Sequence, residues 1–402
     1  MNILVFNCGS SSQNYKLYRS KGSSLELLCK GKAHRVGVKG IEPSFIEHHW
    51  SDQTIKEVVP LPDHRTAAHL ILNFLAGQHF TVDAVGHRFV HGGELFQRSV
   101  LLTAEVLPEL AGLIPLAPIH NPNSLSVIEV CLGRMPGTPE TLTFDTAFHA
   151  GLPESAYRYA LPEPLLSEQG LRKYGFHGLS YQYVSQKAAE FLGQPLAALK
   201  LVACHLGTGG SSVAAIQGGR SIDTSMGYSP LAGLMMSTRS GDLDACAVLD
   251  LLQKKGSPQA VSDLLNKRAG LLGVSGTSSD IRDLITSAEE QDDGAAALAV
   301  AMYTLRLKKT IGSYMALLGK VDALLFTDDI GLQNPHIRAL ACDGLGWAGV
   351  QLDEVANQNA PLDRMSNISS PGSDVRILVT PTDEELVIAR ETLDLIQEED
   401  YA

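Results

Sequence analysis

Two widely separated segments of this chain repeat one design: an apolar run, a loop of glycine and serine, and a second apolar run. Ile3, Leu4, Val5 and Phe6 lead into Asn7-Cys8-Gly9-Ser10-Ser11-Ser12, and Leu201, Val202, Ala203 and Cys204 lead into His205-Leu206-Gly207-Thr208-Gly209-Gly210-Ser211-Ser212. Return runs follow at 15–18 and 213–216, so each segment predicts a β-hairpin tipped with small residues. A tip without bulky side chains lets backbone N–H groups and hydroxyls approach an anion closely. The chain is therefore constrained to a duplicated, strand-led design with two phosphate-holding tips.

With 402 residues, 44% of them hydrophobic, the chain is long enough to fill two cores. Short β-like runs at 82–86, 142–145, 323–327 and 375–380 alternate with helical patterns at 67–76, 181–192, 243–254 and 295–318. This alternation predicts an α/β architecture. Ligands of such folds gather beyond the carboxyl ends of strands, which singles out Asn7, Arg88, Asp145, His205 and Asp328. A turn-rich crossover at 150–167 places the boundary near residue 148, giving domains at 1–148 and 149–385. Residues 386–402 form a last helix, capped by Thr382 or Asp383, that is expected to pack back on the first domain.

A formal charge of −12 excludes a broad nucleic-acid-binding surface. Six cysteines without a C-x-x-C pair indicate neither a zinc site nor a disulfide framework. Met1 enters a strand-like run without a basic leader, and no stretch approaches the roughly 18 apolar residues that span a bilayer. A cytoplasmic protein with no membrane partner is expected.

The glycine-flanked segment 86–94 gathers His87, Arg88 and His91, which suits an anionic substrate better than a metal, because the H-E-x-x-H glutamate is absent. Asp145 closes a strand-like run, and His177 lies between Gly175 and Gly178. A lone Asp or His is more often a cap or a core hydrogen-bonding group than a catalyst. Arg239, in the small-residue loop 237–242, changes the balance, since two arginines are what a transferring phosphoryl group requires. Segments 223–227 and 278–283 are hydroxyl-rich, but Ser279 or Asp280 as a helix cap explains the second equally well. Gly344 to Gly349 matches G-x-G-x-x-G literally, yet it follows a helical pattern, so helix termination explains it and a nicotinamide dehydrogenase is disfavoured. Neither G-x-x-x-x-G-K-[ST] nor G-x-S-x-G occurs, which leaves phosphoryl transfer without a P-loop.

Taken together, 7–12, 86–94, 116–122, 144–149, 174–178, 223–227 and 381–385 resemble the signatures of the acetate kinases, in the actin, sugar-kinase and heat-shock superfamily. The resemblance implies two α/β domains of the actin-like (ribonuclease H-like) fold, with mixed central sheets and an interdomain cleft, and a homodimer. It implies reversible, Mg2+-dependent phosphoryl transfer between acetate and a donor, through acetyl phosphate. Carried over, Asn7 and Glu384 position magnesium, while Asp145, His177 and Arg239 are catalytic. Arg88 binds substrate, and Val90, Ile119, Phe176 and Pro230 form the pocket for the acetate methyl group. Ser10, Ser12, His120, His205, Gly207, Thr208, Gly209, Gly210, Asp280, Arg282 and Gly331 serve phosphate or donor. A non-catalytic acyl-phosphate sensor could dispense with Asp145, His177 and Glu384, and all three are present.

Three departures from the family pattern touch the donor side. Asn14 replaces the usual lysine, although Lys16 is near; the second glycine-rich loop is one residue longer, with Thr208 for asparagine; and the usual F-T-G-G-I-G-E-N reads Phe326-Thr327-Asp328-Asp329-Ile330-Gly331-Leu332-Gln333. Carboxylates where ATP-dependent members have only backbone repel like charge in a partly desolvated cleft and fill space that adenosine needs. This combination resembles the diphosphate-dependent branch, which makes diphosphate and orthophosphate the expected couple and ATP/ADP the alternative.

Overall fold

The structure is a computed structural model that describes residues 1–22, 24–38, 40 and 42–400. It contains two compact units: Met1–Ala150 together with the segment from Asp383 onward, and Gly151–Thr382.

In the first unit, eight strands lie in the order β5-β4-β3-β2-β1-β6-β8-β7. They are β1 (Asn2–Cys8), β2 (Ser12–Lys21), β3 (Ser24–His34), β4 (Phe45–Trp50), β5 (Gln53–Val58), β6 (Ala84–Phe89), β7 (Val100–Leu101) and β8 (Glu140–Phe144). The β1–β2 pair is the expected hairpin, closed by Gly9 N–H donating to Ser12 O at 2.8 Å. β1, β6 and β8 run parallel, which brings Asn7, Arg88 and Asp145 to one end of the sheet. Side chains alternate across the pleat. Leu4, Phe6 and Val85 therefore join a core with Ile71, Leu72, Val127 and Val130 from helices His64–Gly77 and Asn121–Arg134. Gly86 faces the other way, against the C-terminal helix Glu384–Asp400, where a Cβ would stand 2.4 Å from Thr392 Oγ1. Burying each such aliphatic side chain contributes about 1.5–3 kcal/mol.

The second unit repeats the pattern. Its sheet runs β11-β10-β9-β12-β14-β13, with β9 (Lys200–Gly207), β10 (Gly210–Gln217), β11 (Arg220–Thr224), β12 (Ala323–Thr327), β13 (Ser366–Asn367) and β14 (Arg376–Val379). Again an antiparallel hairpin, β9–β10, is followed by two strands parallel to its first member and an antiparallel edge strand. The long helix Gly294–Leu318, capped by Asp293 accepting from Ala295 N and Ala296 N, packs on β9 and β10. The chain thus carries one six-stranded design twice, with mixed sheets in both copies. Helix Gly178–Leu192, the last before β9, packs on β9 and β12 of the second unit, whereas the helix after β14 packs on β1, β6 and β8 of the first.

Strands β3 to β5 answer to no pattern in the sequence reading. Every residue of β5 is exposed, so no apolar face marks it. Gly344 and Gly349 adopt φ of 74° and 80° around a short turn after helix Pro335–Cys342, as helix termination requires. Asp383 caps the C-terminal helix by accepting from Leu386 N at 2.9 Å. No helix among the described residues is long and apolar enough to cross a membrane.

Candidate active site

The first unit gathers Asn7, Arg88, Asp145 and Glu384 at the carboxyl ends of its parallel strands. Arg88 grips Asp145 with both Nε and Nη2, at 2.8 Å for Nε, and donates through Nη1 to Asn7 Oδ1 at 3.0 Å. Glu384 Oε2 lies 4.0 Å from Arg88 Nε. Burial works against the Arg88 charge, but Asp145 and Glu384 outweigh it and hold the guanidinium above its ordinary pKa. The Asp145 side chain is 1% exposed, so the pair is a desolvated one.

Asn7 is turned so that its Nδ2 faces two carboxylates, donating to Glu384 Oε2 at 3.1 Å and to Glu385 Oε1 at 2.9 Å. Of the two residues expected at magnesium, Glu384 accepts a hydrogen bond from Asn7, so the structure brings the two together. Among the described residues no cluster of three His, Cys, Asp or Glu side chains is grouped for a metal. A small protein donor set suits Mg2+, which keeps waters and takes one or two carboxylates together with substrate phosphates. Glu385, Lys16 and Asn14 complete this network; the sequence reading gave Glu385 no role and put Asn14 and Lys16 on the donor side, and the structure sets both against Glu385 in the first unit.

Ser10 stands exposed at the tip of the first hairpin, beside half-buried Ser12, and His120 precedes helix Asn121–Arg134. Of the apolar pair in this unit, Val90 is buried and Ile119 is 51% exposed.

In the second unit the candidate residues converge on the β9–β10 hairpin, whose tip is Thr208-Gly209. His177 adopts a left-handed φ of 62° at the start of its helix and contacts Ser212 Oγ through Nδ1 at 2.8 Å, while Ser212 also meets Tyr181 Oη. The His177 and His205 rings stack at 4.0 Å. Arg239 rises from a loop braced by Met236 N donating to Arg239 O, Leu271 N to Met236 O, and Arg306 Nη1 to Ser240 O. A Cβ on Gly210 would lie 3.2 Å from Arg239 Nη1 and 3.4 Å from His177 Nε2, so this glycine opens the hairpin toward both side chains. Burial holds Arg239 below its ordinary pKa, and it makes no ion pair among the described residues. Its contacts are Pro230 O at 3.4 Å and Met236 S at 3.8 Å. Phe176 is buried and Pro230 half-buried in the same unit.

Asp328 and Asp329 close the donor side of this hairpin. Asp328, a non-glycine residue at φ 64°, sets Oδ2 at 3.0 Å from His205 Nε2, while His205 Nδ1 meets Ser180 Oγ at 2.9 Å. A Cβ on Gly207 would fall 2.0 Å from Asp328 Oδ2, so a side chain there would displace the Asp328 carboxylate. Asp329 accepts from both the backbone N–H, at 2.8 Å, and the hydroxyl of Thr208. Asp329 thus takes up both donors of Thr208 at the hairpin tip, while Asp328 faces the His205 ring. Gly331 is buried below them, its carbonyl accepting from Arg338 Nη1 at 2.9 Å. Asp280 caps helix Ile281–Glu290 and pairs with Arg282, whose charge is favoured first by Asp280 and also by Asp329.

Comparison with known proteins agrees along the whole chain. Residues 2–390 match the profile of the Acetokinase family. The acetate kinase of Caldicellulosiruptor saccharolyticus is 45% identical over 405 residues, covering 99% of this chain and 100% of that protein. Among solved structures, Entamoeba histolytica acetate kinase superposes with a TM-score of 0.89 at 42% identity, covering 99% and 100% of the two chains. A propionate kinase from Francisella tularensis gives 0.89 at 36% identity, covering 98% and 99%. This chain belongs to the acetokinase family.

Proposed function

We propose that the protein is an acetate kinase that exchanges a phosphoryl group between acetate and diphosphate. The observation that carries the anion-transfer reading is Arg239: a largely buried guanidinium without a counter-ion among the described residues, turned with His177 toward an open glycine, awaits an anion. A carboxylate oxygen of acetate attacks the phosphorus, the P–O bond to the leaving phosphate breaks, and acetyl phosphate and orthophosphate result. Bringing anions together makes catalysis chiefly a matter of alignment and charge neutralisation. Arg239 and His177 neutralise charge on the transferring group, Arg88 orients substrate with Asp145 fixing its planar fork, and Glu384 would hold Mg2+. When bound, the magnesium ion supplies further neutralisation of phosphate charge. Losing one such donor typically costs about 10²–10³ in kcat. Val90, Ile119, Phe176 and Pro230 limit acyl length in this reading.

Asp328 and Asp329 favour diphosphate as the donor in this reading, because bulk against the glycine-rich hairpin leaves less room for a nucleotide than for the smaller donor. The competing couple is ATP and ADP. Supplying acetyl phosphate with either orthophosphate or ADP decides between them: consumption with orthophosphate and none with ADP is expected, and rapid turnover with ADP alone overturns the donor assignment.

The same reading includes a homodimer. Helix Ala245–Lys255 has no buried residue, and Leu249 is 58% exposed. Light scattering that returns only the 43.1 kDa chain would refute it.

A further inference from the structure

The unassigned charged cluster behind Asn7 is a brace for the first unit's half of the site. Glu385 is buried and collects three donors: Asn7 Nδ2 at 2.9 Å, Asn14 Nδ2 at 3.3 Å and Lys16 Nζ at 3.2 Å. Lys16 also pairs with Asp383 at 2.7 Å. Burial opposes ionisation of Glu385, yet Lys16 and Asn7 outweigh it and keep the carboxylate charged. For Lys16 the same opposition is overcome by Glu385 and Asp383.

An asparagine amide can sit either way round, and its neighbours choose. Here Nδ2 must face Glu384 and Glu385, which leaves Oδ1 to accept from Arg88. Turning the amide over would set Oδ1 against two carboxylates and Nδ2 against a guanidinium, losing three hydrogen bonds to charged partners. A charged Glu385 therefore fixes the Asn7 amide, and that amide in turn fixes both Arg88 and Glu384. Lys16 holds the other carboxylate oxygen of Glu385 and so fixes its orientation. Asn14 and Lys16 share one face of β2, two residues apart, and both reach Glu385.

We infer that Lys16 and Glu385 are positioning residues of the phosphoryl-transfer site, acting through Asn7 on Arg88 and Glu384 without touching substrate. This rests on the acetate kinase reading for its kinetic consequences, but the geometry it concerns can be measured without turnover. Lys16→Met is expected to lower kcat at least tenfold with KM for acetate changed less than threefold, and to weaken acetyl phosphate binding in metal-free calorimetry. Lys16→Arg should retain most activity. The exchange Asn14→Lys/Lys16→Asn, which returns a cation to Glu385 from the neighbouring position on the same face, should recover most of the loss.

Should Lys16→Met fail to fold, Lys16→Met/Glu385→Gln removes the unpaired charge, and the same kinetic deficit is expected in a folded protein. Wild-type kcat, KM and calorimetric affinity in folded Lys16→Met would overturn the inference. So would a deficit that the exchange variant leaves untouched. A wild-type protein inert toward acetate would defeat the functional reading alone, since binding in Lys16→Met would still test the brace.

Discussion

Arg88 and Arg239 are assigned related work, yet they are held in opposite ways, and their removal should separate activity from stability. Arg239 is a largely buried cation with no carboxylate beside it among the described residues, and its hydrogen-bonding contacts are a carbonyl and a thioether. Replacing it with methionine removes a burial penalty and keeps the apolar stem, so the folded state should lose nothing and can gain up to about 1 kcal/mol. For a unit of this size that corresponds to a rise in Tm of about 2–4 °C. Activity should fall about 10²–10³-fold, or 2.7–4 kcal/mol of transition-state stabilisation. Arg88→Met instead strands Asp145, whose side chain is 1% exposed, as an unpaired buried charge and should cost about 3–5 kcal/mol of stability. The assay is a thermal melt of each variant with and without orthophosphate, beside steady-state rates. Orthophosphate should raise Tm of the wild type and not of Arg239→Met. A destabilised Arg239→Met that keeps wild-type kcat would refute the reasoning, because a cation awaiting an anion cannot be both structurally needed and catalytically idle.

Opening the donor side with Asp328→Gly/Asp329→Gly relieves a left-handed residue worth about 1–2 kcal/mol and frees the Thr208 N–H; ADP binding by calorimetry should then appear or strengthen. His48, buried between Tyr15 and Phe74, is held by burial at a pKa of about 4 against an ordinary 6.5. The unfolded chain takes up a proton there first, so stability present above pH 6.5 should decline as pH falls toward 4, by up to about 3 kcal/mol. Denaturation midpoints across that window should lose much of this slope in Tyr15→Phe/His48→Phe. Gly86→Ala places a Cβ 2.4 Å from Thr392 Oγ1 and should destabilise by about 1–3 kcal/mol in urea unfolding, with partial recovery in Gly86→Ala/Thr392→Ala.

What the sequence made legible is what local chemistry encodes. Both hairpins, the parallel strands that end at Arg88, Asp145 and Asp328, and the cap at Asp383 all announce themselves in runs of a few residues. Strands β3 to β5 do not, because one face of each carries residues such as Lys30, Lys32 and Glu47, and β5 has no buried side at all. Glu385 escaped for a different reason. In the sequence Asp383-Glu384-Glu385 is an ordinary acidic helix start, and its partners Asn7 and Lys16 lie at the far end of the chain. The backbone at His177 and Asp328 is also invisible beforehand, since only tertiary contacts oblige a histidine and an aspartate to accept left-handed φ.

The C-terminal helix lies on β1, β6 and β8, so the unit that contains the N-terminus is finished by the last residues of the chain. During synthesis the first strands to emerge must wait, with Gly86 and the face around it uncovered, until the whole second unit has been made. Asn7 and Lys16 meet no Glu385 before then. The ordering has a practical reading: the first unit cannot be obtained by truncation at residue 150, and a nascent chain holds no complete half-site until Glu384 and Glu385 have been made. Moving residues 383–402 by a linker to the front of the chain would let the first unit close early, converting the order of translation into an experimental variable.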